Sequence, residues 1–318
     1  MLSRTADHLY WMSRYIERAE NLARMLDAHY RLSLLPRSAD ELAQGWEATL
    51  VSLGMLQRYL EQHPREDTRA ALRFLAFQDD HPGSILSCLI AARENARAVR
   101  GTVTSELWET LNTTYLEVQD LRAGARAGDP GALDLARFIE WVKYRSHLTR
   151  GVIESTMLRD EAFHFIAIGD LLERADGTTR LLEARWRDPG GAGERLTNEA
   201  SEWGVLLHAL SAFEVYRKVY REAVTPWRVT QLLLLDAQMP RSVHYCLGEL
   251  RISLAAVRNG RSAETERHAG ELHSQFHYGR LEELCSDGVA QFLDRVQRRL
   301  NALADRIGSD FLVAGFNG

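Results

Sequence analysis

The chain has 318 residues, of which 45% are hydrophobic and 26% are charged, and its formal net charge is -5. This length and apolar fraction are ordinary for a globular protein with a sizeable core, which excludes wholesale disorder. A weakly acidic chain lacks the overall positive field that attracts phosphate backbones. We therefore expect no nucleic-acid partner.

The cysteines and the N-terminal segment indicate the compartment. Cys88, Cys246 and Cys285 form no CxxC pair and no even set for disulfides, which favours a reducing environment. Charged residues, beginning with Arg4 and Asp7, leave no apolar core for a signal peptide. No window reaches the ~18 apolar residues of a membrane span. We expect a cytoplasmic protein that does not contact membranes.

The dominant hydrophobic period along the chain is helical, and no alternating stretch is long enough to compete with it. The pattern predicts an all-α fold, a helical bundle of about 10–12 helices. The prolines fall between these helices or at their starts, where a missing N–H costs little. The predicted helices span roughly residues 2–34, 39–62, 66–79, 83–101, 104–127, 131–157, 160–187, 197–224, 227–235, 240–259, 263–276 and 280–307.

The two halves of the chain repeat each other at an offset of about 157 residues. YIERAENLARMLD at 15–27 matches LLERADGTTRLLE at 171–183, and WEATLVSLGMLQRY at 46–59 matches WGVLLHALSAFEVY at 203–216. PGSILSCLIAARENARAVR at 82–100 matches PRSVHYCLGELRISLAAVR at 240–258. Three blocks in one order predict two duplicated helical units with pseudo-twofold symmetry. The predicted parts are a first helical repeat at 1–127, a connecting helix at 128–158 and a second helical repeat at 159–318.

Four arginines occupy helix positions where the period requires an apolar residue, namely Arg18, Arg93, Arg174 and Arg251. A guanidinium on an apolar face stays charged and needs a carboxylate or carbonyl partner. In one interpretation the arginines bind carboxylates of the other repeat, such as Glu17 or Glu173, and hold the halves together. In the other, the duplicated Arg and acid sets line a substrate cleft between the repeats.

The opening segment, LSRTADHLYWMSRYIERAENLARMLD, resembles the start of the bacterial alpha-E domain family. DHPGSILSCLIAARENARAVR followed by LWETLN, ERAD near 173 and PRS at 240–242 are similar to its later motifs. The resemblance spans essentially the whole chain and implies an all-helical fold. Genes of this family neighbour those of a circularly permuted ATP-grasp ligase, a transglutaminase-like peptidase and a proteasome-like peptidase. The resemblance therefore implies a part in a peptide-forming or peptide-modifying (amidoligase) system.

Carrying the family motifs over by position gives a set of candidate residues for binding a substrate or a partner. The second repeat departs from the first at Gly177, which stands where the first has Asn21, and at Ile252-Ser253, which stand where the first has Glu94-Asn95. Any site is therefore predicted to be asymmetric. The candidates are Arg14, Glu17, Arg18, Glu20, Asn21, Arg24, Ser84, Arg93, Glu94, Asn95, Arg97, Glu173, Arg174, Asp176, Arg180, Arg241 and Ser242.

Motifs that would assign catalytic chemistry are missing from the sequence. There is no P-loop, no strand-associated GxGxxG and no GxSxG, so ATP and Mg²⁺ are expected only on a partner ligase. We expect no cofactor and no metal in this chain, and we assign no catalytic residue. Glu161 and His164 form half of a di-iron ExxH pattern, but Thr5 stands where the first repeat would need the matching Glu. His273 and His277, at i and i+4, could form a metal-binding face, but they lie in a polar segment near a predicted loop.

Three hypotheses of function follow. The first is an accessory subunit that holds a peptide or amino-acid substrate in an Arg/Glu-lined groove and presents it to the ATP-grasp ligase. The second is an enzyme that acts on an amide, with Glu17, Glu20 or Asp176 as general base. The third is a purely structural dimerisation scaffold. The missing nucleophile and phosphate cradle favour the first.

Overall fold

The computed structural model describes residues 1–35, 39–63, 68–78, 81–126, 135–187 and 199–313. Over these ranges the chain forms fifteen helices and no strand, so the all-α prediction is confirmed. The helices are α1 Ser3–Leu32, α2 Ala39–Ser52, α3 Leu56–Gln62, α4 Thr68–Phe77, α5 Ile85–Ala98, α6 Ser105–Arg126, α7 Leu135–Thr156, α8 Glu161–Arg187, α9 Glu199–Ala209, α10 Phe213–Tyr220, α11 Pro226–Leu235, α12 Val243–Ala256, α13 Ala263–Tyr278, α14 Leu281–Leu284 and α15 Val289–Phe311.

Three of the twelve predicted helices are each broken in two, which accounts for the higher count. Gly54 has φ of 68° between α2 and α3, and Ser211 has φ of 53° between α9 and α10. Gly288 has φ of 106° immediately before α15. A left-handed residue cannot continue a right-handed helix. Ser211 was not recognisable as a break because serine seldom adopts this conformation.

Two long helices, α1 and α8, run parallel to each other through the centre of the bundle. Tyr10 and Ser13 of α1 lie against Gly169 of α8, and Asn21 lies against Gly177, about two helical turns further along. Helices α5, α7 and α9 pack on α1, while α12, α15 and α2 pack on α8. The side chains of the central pair are therefore covered from several sides.

The hydrophobic core has two clusters that share α1. One joins Leu9 and Met12 to α8, α12 and the helices that follow, around Trp203 and Phe276. The other joins Leu26 to helices α2–α7. Because both clusters pack around α1, polar side chains of this helix are buried as well.

The cysteines belong to this core. Cys88 and Cys246 are fully buried, and burial raises the pKa of each thiol to about 12. Each thiol lies close to a carbonyl of a preceding proline, Pro82 or Pro240. Protonated, buried thiols are poor nucleophiles, so these two residues pack as small core side chains.

No described helix of eighteen or more residues is apolar enough to cross a bilayer. The division of the chain into two repeats stays a prediction. Helix α7 lies within the segment predicted as a connecting helix, and it packs directly on α1 and α6. The sequence also predicts loops at AGDPG, 127–131, and at DPGGAGE, 188–194, and both lie outside the described residues.

The close approach of α1 and α8 depends on Gly169. A Cβ at this position would collide with the Tyr10 carbonyl oxygen and the Ser13 hydroxyl. We expect Gly169→Ala to reduce the free energy of unfolding by about 1–3 kcal/mol, the usual cost of overpacking. Urea denaturation followed by circular dichroism measures this change.

Gly151→Ala on α7 is the matched control because nothing lies within 4 Å of a Cβ there. Replacing a helix glycine without a clash should stabilise the protein by about 0.5–1 kcal/mol. Equal effects of the two substitutions would show that the α1–α8 contact tolerates an added methyl group.

Candidate functional site

Two carboxylates of α1, Glu17 and Glu20, are completely buried at the centre of the bundle. Glu17 accepts hydrogen bonds from Arg150 at 2.7 Å, from Arg241 at 3.1 Å and from Arg174 at 3.2 Å. Glu20 contacts Arg150 and Arg241 as well. Because a buried carboxylate needs cationic partners, α1 draws guanidinium groups from α7, from α8 and from the start of α12.

Two of the four unusual arginines form reciprocal ion pairs between α1 and α8. Arg18 donates to both carboxylate oxygens of Glu173, at 2.7 and 3.2 Å, and Arg174 donates to Glu17. Arg14 adds a third hydrogen bond to Glu173, at 2.7 Å. The interpretation that these arginines bind carboxylates of the other half is confirmed for Arg18 and Arg174.

The interpretation is wrong for Arg93 and Arg251. Arg93 binds the neighbouring Glu94 and Asn112, and its guanidinium lies 4.9 Å from the centre of the Tyr115 ring. Arg251 is exposed and contacts His273 of α13 at 3.1 Å. Both point toward the helix that follows in the chain rather than toward the centre.

A set of α7 residues was missed because segment 128–158 was interpreted as a connection. Lys143 pairs with Asp27 at 3.2 Å, His147 lies 3.5 Å from Glu20, and Arg150 binds Glu17. The positions i, i+4 and i+7 lie on one helix face, which was the available signal. This face runs antiparallel to the acidic face of α1.

Arg24 is another buried cation of α1, with 1% of its surface exposed. It pairs with Glu20 at 2.7 Å and donates to the carbonyl of Ala209, the last residue of α9, at 2.5 Å. Burial and the nearby charge of Arg241 lower the pKa of Arg24 to about 10. A cation at a helix C-terminus compensates the unpaired carbonyls there.

Asp170 of α8 pairs with Arg174 at 2.5 Å. We call this residue and nine of those above, each buried or partly buried, the buried charge network. Six carry guanidinium groups and four carry carboxyl groups, so the network has two more potential positive charges than negative ones. Its members are Arg14, Glu17, Arg18, Glu20, Arg24, Arg150, Asp170, Glu173, Arg174 and Arg241.

The carboxyl groups of the network differ in their pKa values. Burial would raise the pKa of Glu173, but the charges of Arg18 and Arg14 outweigh it and lower the value to about 2. In Asp170 burial prevails over the attraction of Arg174, and the pKa rises to about 6. Asp170 is therefore the network carboxyl group that can exchange a proton near neutral pH.

The other candidates occupy separate places. Ser84 and Ser242 cap the N-termini of α5 and α12 by accepting backbone hydrogen bonds from Ser87 and Tyr245. Asn21 donates to the carbonyl of Glu173 and fills the space that Gly177 leaves, which explains the difference between the halves. Three further candidates also lie outside the buried charge network. Asn95 binds His8, Arg97 pairs with Glu94, and Asp176 pairs with Arg180.

A cavity of about 530 Å³ borders the network between α1, α7, α8 and α12. We call it the α8 cavity. Arg150, Asp170 and Arg174 of the network form part of its wall. Further polar wall residues are Arg159, Glu154, His164, Tyr245 and Glu249. Its volume lies in the range of pockets that bind small molecules, roughly 300–1,000 Å³.

His164 shows how the cavity wall is built. Its Nδ1 atom is buried and has no hydrogen-bond partner among the described residues. Its sequence neighbour in the ExxH pattern, Glu161, instead binds the amino group of Met1 at 2.5 Å. The pattern thus does not form a half-site for iron. The ring of His164 lies in the cavity wall.

We expect Arg241→Met to destabilise the fold strongly, because it leaves Glu17 and Glu20 short of a buried partner. The loss should be about 3–5 kcal/mol, the cost of breaking a buried pair. Urea denaturation at neutral pH is the measurement. Arg97→Met, whose side chain is 63% exposed, is the matched control and should cost less than about 1 kcal/mol.

The raised pKa of Asp170 predicts a dependence of stability on pH. Its folded value of about 6 exceeds the unfolded value of 3.8, so its contribution is complete below pH 3.8 and is lost as the pH rises through 6. Asp170→Asn should therefore gain stability relative to the wild type between pH 4 and 6. Urea denaturation at several pH values across this range tests the prediction, with Asp294→Asn, whose side chain is 49% exposed, as control. A wild-type-to-variant difference that stays constant over this range would contradict the assignment.

Comparison with known proteins identifies the family. Residues 1–312 match the Alpha-E family, which is described as a predicted alpha-helical domain with a conserved ER motif. Uncharacterized proteins from Mycobacterium bovis and from two strains of Mycobacterium tuberculosis are 27% identical over 331 aligned residues. The alignment covers 95% of this chain but only 36% of each relative, so the chain spans about a third of their length. No solved structure matches.

The Glu-Arg motif has a place in this structure. Two such pairs, Glu17-Arg18 and Glu173-Arg174, supply both partners of the reciprocal ion pairs between α1 and α8. With a match that extends over almost every residue, the chain belongs to the Alpha-E family.

Proposed function

We propose that this chain is a substrate-binding accessory subunit of a peptide-forming or peptide-modifying system. In this proposal the α8 cavity holds an amino acid or a peptide end for a partner ATP-grasp ligase. The observation that carries the proposal is a cavity of about 530 Å³ whose wall includes part of a charge network with excess arginine.

The charges of the wall suit a ligand that carries both signs. Arg150 and Arg174 belong to the buried charge network, in which arginines outnumber carboxyl groups, and both lie in the wall, so a ligand carboxylate would gain charge-assisted hydrogen bonds. Glu249 and Asp170 offer acceptors for a ligand amine. A free amino acid or a peptide terminus has this combination of groups.

The family supports the partner. The resemblance to the alpha-E family implies a gene neighbourhood with an ATP-grasp ligase, and the sequence contains no recognisable phosphate cradle of its own. About two thirds of each mycobacterial relative lies outside the region that matches this chain. A helical unit that occurs with additional chain is consistent with a module that serves a neighbouring catalytic domain. The neighbouring transglutaminase-like and proteasome-like peptidases are further candidate partners in this proposal.

An enzyme acting alone is the second candidate, and Asp170 is the residue that favours it. Its pKa of about 6 and its place in the cavity wall suit a general acid or base. Glu17 and Glu20 do not suit that role, because both are buried and held ionised by arginines. Asp176 pairs with Arg180 beside a smaller cavity of about 220 Å³.

Filling the cavity tests the proposal. Ala167 lies in the cavity wall, so we expect Ala167→Phe to weaken binding of the dipeptide Glu-Glu at least about 10-fold by occupying its space. Isothermal titration calorimetry measures the affinity, with melting temperature as the check on folding. N-acetylated, C-amidated Glu-Glu should bind more weakly than the free dipeptide to the wild type.

Ala255→Phe is the matched control, because Ala255 is exposed on α12 and is not a wall residue. Adding the chain to the neighbouring ATP-grasp ligase should raise ligase turnover, and Ala167→Phe should remove the gain. A ligase turnover rate that is the same with and without the chain would overturn the accessory role. Turnover of Glu-Glu by the chain alone, lost in Asp170→Asn, would establish the enzyme instead.

A further inference from the structure

Three histidines from two helices meet on the side of the bundle formed by α12 and α13. His244 lies in the first turn of α12, and His273 and His277 lie one turn apart on α13. One ring nitrogen from each residue lies within 4.8 Å of those of the other two. The sequence showed the α13 pair, but nothing in it placed His244 beside that pair.

The orientation of His244 is set by a backbone contact. Its Nδ1 atom lies 2.9 Å from the carbonyl oxygen of Leu235, and a carbonyl can only accept, so Nδ1 donates its proton there. The Nε2 atom consequently carries no proton, and its lone pair can bind an ion. Metal-binding histidines commonly have this arrangement, in which a carbonyl fixes the ring and selects the nitrogen that binds the ion.

The spacing of the nitrogens suits a tetrahedral ion. His244 Nε2 lies 3.3 Å from His277 Nδ1. Two nitrogens that bind one zinc ion at 2.0–2.1 Å in tetrahedral geometry lie about 3.3 Å apart. His273 is partly buried and His277 is exposed, so small ring rotations can complete the set without moving the core.

We propose that His244, His273 and His277 bind one divalent transition-metal ion of the zinc class, with a fourth position open to solvent. Imidazole ligands favour zinc, nickel and copper over magnesium and calcium. Exposure of His277 leaves a side from which the ion and a water molecule can enter.

The first half of the chain has a different set at the equivalent positions. Under the predicted offset of 158 residues, Leu86, Tyr115 and Gln119 stand where the second half has the histidines. There Arg93 lies over the Tyr115 ring, whereas Arg251 contacts His273. The metal site is thus a property of the second half alone.

Arg251 competes with the metal. Its Nη1 atom donates to Nδ1 of His273 at 3.1 Å, which places the proton of the neutral ring on Nε2. An ion on Nδ1 displaces the arginine directly, and an ion on Nε2 requires a proton on Nδ1, which then cannot accept from the arginine. Metal binding therefore requires Arg251 to release His273, and the exposed arginine is free to do so.

Titration of the whole chain with Zn²⁺ in a calorimeter tests the site, and Co²⁺ gives a visible absorption band when it is bound tetrahedrally. We expect one ion per chain at micromolar concentration. His273→Gln and His277→Gln should each weaken binding more than about 100-fold, because the loss of a supporting residue alone costs roughly 10–100-fold. Both side chains are at least partly exposed, so these variants keep the fold.

His268→Gln is the matched control, since His268 is on the same helix and outside the cluster. It should leave the affinity unchanged, while Arg251→Gln should tighten binding. Absence of stoichiometric binding, or an equal loss in His268→Gln, would overturn the proposal. Unchanged or weaker binding in Arg251→Gln would show that His273 is not a ligand.

Discussion

Two buried carboxylates on one helix determine how the rest of this bundle is arranged. Glu17 and Glu20 have no exposed surface, and each must be compensated by cations. Those cations come from α7, α8 and the start of α12, so three elements are held at defined positions around α1. Apolar packing alone would allow these helices to slide or rotate, whereas a guanidinium that must reach a buried carboxylate allows one register.

The α8 cavity follows from the same constraint. Arg150 and Arg174 point toward the acids of α1, and the space beside them is left open between α7, α8 and α12. Asp170 lies at this boundary, close enough to Arg174 to pair with it and yet buried enough to have a raised pKa. A structural network thus supplies a polar wall to a cavity, and one group of that wall titrates near neutral pH.

The helical period and the apolar faces were sufficient to predict the fold class and most helix positions. The period also identified Arg18 and Arg174 as misplaced on apolar faces, and their true partners were among the acids considered. The helix face that carries Arg150 was visible in the sequence, but its carboxylate partner could not be predicted, because the sequence does not show which face of α7 meets α1. Nor could it distinguish Arg93 from Arg18, since both break the apolar pattern and only tertiary packing decides which neighbour each one meets. The same limit hid His244, whose ring is oriented by a carbonyl nine residues away.

The reciprocal pairs between α1 and α8 have the form of a contact across a twofold axis. The arginine of each Glu-Arg motif binds the glutamate of the other motif. Between two separate copies of one chain, both pairs would be encoded by the same two codons and would change together. Within a single polypeptide they are encoded independently. A substitution can therefore alter one side while the other retains its ion pair. Under the predicted repeat, this independence lets Gly177 face Asn21 and lets the His244, His273 and His277 cluster lack a counterpart in the first half.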